Sequence, residues 1–293
     1  MQGKTCLVTG ANTGIGKEIA RELAARGAQV LMVCRNREKG EAALGDIVET
    51  TGNENVVLLL ADLASLDQVR NLGAQVNRDY PRLDVLINNA GLQLWDRHVT
   101  PDGYEETFAV NHLAPFLLTH LLLEPLKAAG AARIINVASS LHKWGRINLD
   151  DPMFTGRYSS LKAYGQSKLA MIMFTYELAR RLASGGITTN ALMPGVVRTE
   201  FTRDYPGLMK FGMRLIRVFL ISAQRGAQTP VYLATSPEVE GVTGKYFEKM
   251  KVVKSSRASH NRDLARRLWQ VSAELTGLDP QAIPEREARL DTG

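Results

Sequence analysis

A chain of 293 residues, 45% of them hydrophobic, can bury a sizeable core as one large α/β domain or two small ones, and its composition is ordinary for a soluble globular protein. The formal charge of +6 favours anionic ligands, but the basic residues are scattered; the densest group, Arg262, Arg266 and Arg267, reads as a solvated helix face, so no nucleic-acid partner is expected. Cys6 and Cys34 lie inside apolar strand-like runs, which argues against a disulfide framework, and no charged segment with an apolar core precedes the strand-like residues that begin by Lys4, so the expected location is cytoplasmic.

In chain order, apolar β-rich runs at Thr5–Thr9, Gln29–Cys34, Val56–Ala61, Val85–Asn88, Arg133–Val137, Thr188–Leu192 and Lys245–Phe247 alternate with longer segments of helical period. That alternation predicts a three-layer, doubly wound parallel sheet of about seven strands. After the first run, Thr9-Gly10-Ala11-Asn12-Thr13-Gly14-Ile15-Gly16 leads into a helix carrying Ile15, Ile19 and Leu23, and Gly27 sits where a left-handed cap would end it. Glycines at this junction permit a tight turn and bring backbone amides near a diphosphate, whose charge the helix N-terminus attracts. The spacing is G-x3-G-x-G, not G-x-G-x-x-G.

The end of the second run reads Val33-Cys34-Arg35-Asn36-Arg37, with no acid to hold an adenosine ribose hydroxyl. Arg35 is instead suited to a 2′-phosphate, Lys17 is a candidate second cation, and Arg37 reads as a surface residue. The expectation is NADP(H) over NAD(H). Asp62, with Leu63 beside it, follows the third run; it either accepts from the adenine amine or opens the next turn. Ser65-Leu66-Asp67-Gln68 has the form of a capping box before Val69, Leu72 and Val76.

Tyr164 and Lys168 are four residues apart on a predicted helix, so they share a face. A free phenol has a pKa of about 10, and bringing it to neutrality takes about 4 kcal/mol. A unit charge about 4 Å away supplies on the order of 4 kcal/mol at an effective dielectric near 20. Lys168 is therefore an adequate activator for Tyr164 as an acid or base.

Taken together, the glycine turn at 10–16, Asn88-Asn89-Ala90-Gly91, Asn111, Ser139 and Tyr164-x-x-x-Lys168 resemble a short-chain dehydrogenase/reductase of the classical type, from about residue 4 to about residue 276. The stretches at 9–18, 85–91, 110–113, 116–123, 167–170, 177–182, 224–229 and 265–269 resemble the retinol dehydrogenase branch. The resemblance implies a Rossmann fold in a single domain over 1–276; from Gly277 onward the chain turns polar, with Pro280 and Pro284, and reads as a loose tail over 277–293. It implies that Tyr164 exchanges a proton with the substrate oxygen, that Lys168 tunes Tyr164 and holds the nicotinamide ribose, and that Ser139 hydrogen-bonds the carbonyl oxygen. Asn111 would anchor a water through its main chain. Ser139 is chosen over Ser140 because it lies three residues after Asn136 and 25 before Tyr164.

The cofactor set implied is Gly10, Asn12, Thr13, Gly14, Ile15, Gly16, Arg35, Asp62, Leu63, Asn89, Ala90, Gly91, Tyr164, Lys168, Pro194, Gly195, Val197 and Thr199, with no metal. A substrate lid is expected over about 200–225, where Phe201, Met209, Phe211 and Phe219 suggest an apolar substrate; core packing or an oligomer contact accounts for them nearly as well. Leu208–Ile221 is too short and charged to span a bilayer, which needs about 20 residues, though a basic amphipathic lid suits peripheral membrane contact. Members of the branch commonly carry a hydrophobic N-terminal anchor, for which this chain shows no segment. The expected assembly is a homodimer, built on the helices containing Asn111 and Tyr164, or a homotetramer. Three functional readings stay open: a reductase or dehydrogenase of a lipophilic aldehyde, ketone or alcohol of retinal/retinol type, a steroid-type or chlorophyll-precursor reductase, and a non-catalytic dinucleotide-sensing module.

Overall fold

The computed structural model describes residues 1–183, 185–195 and 221–284. Eight strands form one sheet in the order β3-β2-β1-β4-β5-β6-β7-β8. They are β1 (Thr5–Thr9), β2 (Gln29–Cys34), β3 (Val56–Leu60), β4 (Val85–Asn88), β5 (Arg133–Val137), β6 (Thr188–Met193), β7 (Tyr246–Glu248) and β8 (Lys251–Val253). The first seven run parallel, and β8 pairs antiparallel with β7. The parallel Rossmann sheet is as expected, while β8 is an addition. It is three residues long, follows a turn in which Lys249 and Met250 take positive φ without glycine, and leaves Val252 exposed at the edge. Neither a turn signature nor an alternating pattern marks it in the sequence.

Side chains on the central strands alternate between two cores, as a pleat of period two requires. Cys6, Val8, Val30, Met32, Val85 and Ile87 point to one face. There they meet α1 (Gly14–Ala25), α2 (Arg37–Thr51) and α8 (Ala223–Thr235). Leu7, Leu31, Val33, Leu86 and Ile134 point to the other face. Against them lie α3 (Leu66–Asp79), α5 (Ala114–Leu121), α6 (Leu123–Ala128), α7 (Ser160–Arg181) and α9 (Arg262–Leu275). The short α4 (Glu106–Phe108) runs through a π turn, Ala109–Leu113, into α5. Both cysteines are buried and unpaired, and burial pushes the Cys6 thiol up to about 12.

Local signals operate largely as read. Gly27 has φ +77 and follows α1. Ser65 caps α3 by accepting from the Gln68 amide, but the Gln68 side chain accepts from Asp62 N rather than closing the box on Ser65. Arg262, Arg266 and Arg267 are exposed on α9.

The segment after Gly277 departs from the expected loose tail. Arg181 donates to the Ile283 carbonyl (2.6 Å), Trp269 Nε1 donates to the Pro280 carbonyl (3.1 Å), and the Ile283 side chain is buried. Arg181 is itself held by buried Glu177 at 2.8 Å and lies over the Trp269 ring at 4.3 Å. Polar composition suggested a free end, but buried donors at Arg181 and Trp269 need acceptors, and this segment's carbonyls supply them. Residues 285–293 lie outside the described residues.

Candidate active site

The strand order reverses direction between β1 and β4, and in open α/β sheets ligands bind at such a point, beyond the carboxyl ends of the strands. The β1 and β4 ends are stitched together there. Thr9 Oγ1 accepts from the Asn89 and Ala90 amides, both at 3.0 Å, and Asn89 Nδ2 donates to the Thr9 carbonyl at 2.8 Å. Gly10 (φ +67) and Gly14 (φ +55) make the turn from β1 into α1, a backbone region that side chains disfavour. At Gly16 a Cβ would fall inside contact distance of the Gly10 carbonyl and the Asn89 amide, so the first turn of α1 packs directly on the crevice floor. Thr13, the α1 cap residue, provides no side-chain hydrogen bond and the first turn carries no acid, whereas α2, α3, α8 and α9 are capped by Asn36, Ser65, Ser222 and Asn261. Amides of α1 are thus available to an anion at the switch point, as a dinucleotide diphosphate requires.

At the β2 end, the Arg35 side chain is 67% exposed, with its guanidinium 3.7 Å from an Asp62 oxygen. Of the two alternatives for Asp62, turn formation is visible: its other oxygen accepts from the Ala64 amide at 3.0 Å. Leu63 is buried in the core. Lys17, the candidate second cation, is engaged with a neighbouring carboxylate instead of standing open. Its ammonium lies 2.6 Å from Asp46 on α2, and with Arg21 it holds the Asp46 carboxyl down at about 2. Arg37 pairs with Glu41 along the surface of α2, as a surface residue would.

The opposite wall carries the chemistry-bearing residues. Tyr164 and Lys168 both lie on α7, and the Lys168 ammonium sits 5.7 Å from the centre of the Tyr164 ring. Lys168 is 3% exposed and donates to the Val137 carbonyl at the end of β5 (3.0 Å). Burial lowers its pKa from 10.5 to about 8. A Cβ on Gly91 would stand 3.0 Å from Lys168 Nζ and 3.2 Å from Asn111 Oδ1, so the loop after β4, the π turn and α7 converge.

Asn111 is fully buried in that π turn, a helix defect often found at functional sites. Its side chain accepts from the Leu92 amide (2.8 Å) and donates to the Leu92 carbonyl and Ser167 Oγ, both at 2.9 Å. The side chain is therefore spent on scaffolding.

Ser139 follows β5 and caps a 3-10 turn, Ser140–Trp144, by accepting from the Leu141 amide at 3.3 Å; its hydroxyl proton stays available to donate. The turn is pressed onto α7 at a glycine pair. A Cβ on Gly145 would strike the Gly165 carbonyl, and one on Gly165 would lie 3.3 Å from Gly145 Cα. This close approach sets the Ser139 turn beside the helix turn that carries Tyr164. Beneath them runs a buried ladder: Asn88 donates to Asn136 (2.8 Å), which donates to Thr175 on α7 (2.9 Å).

The site therefore unites Gly10, Gly14, Gly16, Asn89, Ala90 and Gly91 on one wall with Ser139, Tyr164, Lys168 and Asn111 on the other. Asn12, Thr13 and Ile15 lie in the glycine turn and the start of α1, and Pro194 and Gly195 follow β6. Val197, Thr199 and most of the expected 200–225 lid lie outside the described residues; within that range Ser222 caps α8. Sequence reading missed Thr9, Gly145, Gly165 and Ser167. Thr9 stands in the glycine motif and Ser167 between Tyr164 and Lys168, so position was the available signal, whereas nothing local marks Gly145. Among the described residues no cluster of metal-ligating side chains occurs and no helix is long and apolar enough to cross a membrane.

Comparison with known proteins agrees with this geometry. Residues 4–207 match the family model for short chain dehydrogenases. Human retinol dehydrogenase 13 is 45% identical over 290 residues, covering 97% of this chain and 88% of that protein. Mouse retinol dehydrogenase 12 is 44% identical, covering 94% and 87%. Among solved structures, an uncharacterised protein from Mycobacterium paratuberculosis aligns with a TM-score of 0.77 at 34% identity, over 95% of each chain. A protein from Beutenbergia cavernae, described as an NAD(P)-dependent gluconate 5-dehydrogenase with NADP bound at low occupancy, aligns with a TM-score of 0.70 at 28% identity, over 85% of this chain and 96% of that one. With the crevice, the tyrosine–lysine pair and a family match over most of its length, this chain belongs to the short-chain dehydrogenase/reductase family, in its retinol dehydrogenase-like branch, and is an oxidoreductase of alcohol and carbonyl groups that uses a nicotinamide dinucleotide.

Proposed function

We propose that the protein transfers hydride between NADP(H) and a lipophilic carbonyl or alcohol, of retinal/retinol, aldehyde or ketone type. The observation that carries this reading is the buried Lys168 ammonium against the Tyr164 ring, across the crevice from an uncapped glycine-turn helix. The dinucleotide, when bound, supplies hydride to the carbonyl carbon. Tyr164 gives its phenolic proton to the carbonyl oxygen, so that C=O becomes CH–OH; in the oxidative direction it takes that proton back. Lys168, charged below about pH 8, stabilises negative charge on the phenol oxygen as the proton leaves. Ser139 donates its hydroxyl to the substrate oxygen, where charge develops. Asn111 holds Leu92 and Ser167 in place and offers its π-turn main chain to a water on the proton path.

The preference for NADP(H) rests on Arg35. Its side chain is mostly exposed and held only by a loose ion pair to Asp62, whereas the equally exposed Arg37 pairs with Glu41 along α2, and no acid in Val33–Asn36 would repel a 2′-phosphate. A lipophilic substrate is favoured by the retinol dehydrogenase relatives. The family resemblance supports a homodimer or homotetramer, which sedimentation tests, and the two free, buried cysteines support a cytoplasmic location, which cell fractionation tests.

The direct experiment supplies purified protein with a panel of retinoid, aldehyde, ketone and steroid carbonyls and both reduced dinucleotides, following nicotinamide absorbance. Turnover with NADPH on an apolar carbonyl, lost in Tyr164→Phe, is expected. Dinucleotide binding without turnover on any substrate would overturn the catalytic reading in favour of a sensing role.

A further inference from the structure

His142 lies one turn from Ser139 and has no part in the chemistry just described. It is fully buried in the Ser140–Trp144 turn, with its ring edge-on to Tyr246 at 5.0 Å. Nδ1 lies 2.6 Å from the Ser139 carbonyl oxygen, and Nε2 lies 3.1 Å from the Ser256 amide nitrogen. A carbonyl can only accept and an amide N–H can only donate. The ring therefore carries its proton on Nδ1 and its lone pair on Nε2, and one neutral tautomer satisfies both ends. Burial, the largest influence, lowers the imidazole's pKa and keeps that neutral form.

The far end of this link is itself anchored. Ser255, next to Ser256, bonds the Tyr176 hydroxyl of α7 and Ser259 Oγ, each at 2.7 Å. Ser259 in turn donates to the Ser256 carbonyl at 2.6 Å. The histidine thus spans from the Ser139 main chain to a segment tied to the helix that carries Tyr164.

We propose that His142 is a positioning residue: through the Ser139 carbonyl it fixes the Ser139 hydroxyl in register with Tyr164, with the C-terminal segment around Ser256 as its abutment. The inference rests on the reading of Ser139 as the donor to the substrate oxygen. Misplacing a catalytic group by about 1 Å can cost about a hundredfold, so a strut of this kind has kinetic consequences.

Two amide replacements separate the ends of the ring. In His142→Asn the amide nitrogen replaces Nδ1 and keeps the bond to Ser139; in His142→Gln the amide oxygen replaces Nε2 and keeps the bond to Ser256. Expected are a kcat about threefold below the parent for His142→Asn, which gives up the Ser256 bond, and a loss of about tenfold or more for His142→Gln, with KM for dinucleotide and carbonyl unchanged in both. Ser256→Pro provides a route that leaves the ring intact: Ser256 already has φ −63, which suits proline, so the change removes the amide donor. It should lower kcat about threefold alone and add nothing to His142→Gln, the non-additivity of groups in one linkage.

Equal kcat losses in the Asn and Gln variants, losses that follow melting temperature, or full additivity with Ser256→Pro would overturn the proposal. If the histidine variants fail to fold, an unchanged kcat in Ser256→Pro overturns it by itself. Ser139→Ala separates the two layers. If it leaves kcat intact, the reading of Ser139 falls; if it lowers kcat while His142→Gln does not, the strut alone falls.

Discussion

The wall of the crevice made by β1, the glycine turn and α1 works through side chains that are missing, whereas the wall made by β5, the Ser139 turn and α7 works through side chains that are buried and polar. On the first wall Gly10 and Gly16 let backbone lie against backbone, Gly14 turns the chain at φ +55, and the α1 amides are left open. On the second, Lys168, Asn111 and His142 are removed from water, each with a named partner. A wall of backbone binds a charged, invariant ligand by shape and helix-end charge. A wall of buried polar groups holds one proton donor and one cation where charge develops during reaction. Changes on the first wall should therefore appear in dinucleotide affinity, and changes on the second in kcat.

The largest expected effect tests the second wall. Tyr164→Phe removes one oxygen and should lower kcat by about 10²–10⁴-fold, the usual worth of a positioned acid or base. Dinucleotide affinity, followed by quenching of protein fluorescence, should stay within about twofold of the parent, since a uniform binding loss has a different kinetic signature. A large affinity loss with unchanged kcat would erase the distinction between the walls.

Gly16→Ala is the counterpart on the first wall. Its methyl would meet the Gly10 carbonyl, which is backbone, and the Asn89 side-chain amide, which is held on the Thr9 carbonyl, so the turn must shift. Dinucleotide affinity should fall about a hundredfold, with about 1–3 kcal/mol of stability lost to overpacking, measured by denaturant titration. kcat at saturating dinucleotide should change far less than in Tyr164→Phe.

Lys168 sharpens the comparison through pH. Its pKa is lowered from 10.5 to about 8 by burial, so the ammonium is charged below about 8 and neutral above. With the charge goes the stabilisation of the phenol oxygen, and kcat/KM should decline as pH rises through about 8. Stability moves in the opposite sense. Between about 8 and 10.5 the unfolded chain binds a proton that the folded chain does not, so stability rises with pH across that window, by an amount on the order of 3 kcal/mol in total. Below the window both states are protonated and the cost of burying the charge is constant. Lys168→Met should lack this rise in pH-dependent denaturation, and lysine titration followed by NMR provides the independent check.

What was legible in the sequence divides along the same line. Strands β1 to β5 and the glycine turn are written in local pattern: apolar runs, a turn motif, a spacing of four between Tyr164 and Lys168. Their physical causes act within a few residues, so position in the chain suffices. The ties of the second wall are long-range. His142 meets Ser256 114 residues away, and Asn111 meets Ser167 56 residues away, with no periodic signal to pair them. Gly145 and Gly165 look like ordinary glycines until the Ser139 turn is laid on α7. The 277–284 segment misled for a related reason: its polar side chains suggested freedom, but its backbone carbonyls do the docking on Arg181 and Trp269.

The smallest expected effect concerns which cation reads the ribose phosphate, and it tests whether first-wall electrostatics can be localised. Arg35 and Lys17 are both near the turn in sequence, but Lys17 is held by Asp46 at 2.6 Å while Arg35 has a 3.7 Å ion pair and a mostly exposed side chain. A charge already neutralised at close range contributes little to a third partner, and exposed pairs are screened further. Arg35→Ala should raise the KM for NADPH about tenfold, the loss of one charge-assisted contact, and leave the KM for NADH within about twofold. Lys17→Ala should leave both nearly unchanged and instead return Asp46, held near 2 by Lys17 first and Arg21 second, toward an ordinary carboxylate pKa. Equal losses for the two dinucleotides in Arg35→Ala would mean that the arginine serves the shape of the adenosine site rather than the phosphate, and the preference for NADP(H) would have to be sought elsewhere on the first wall.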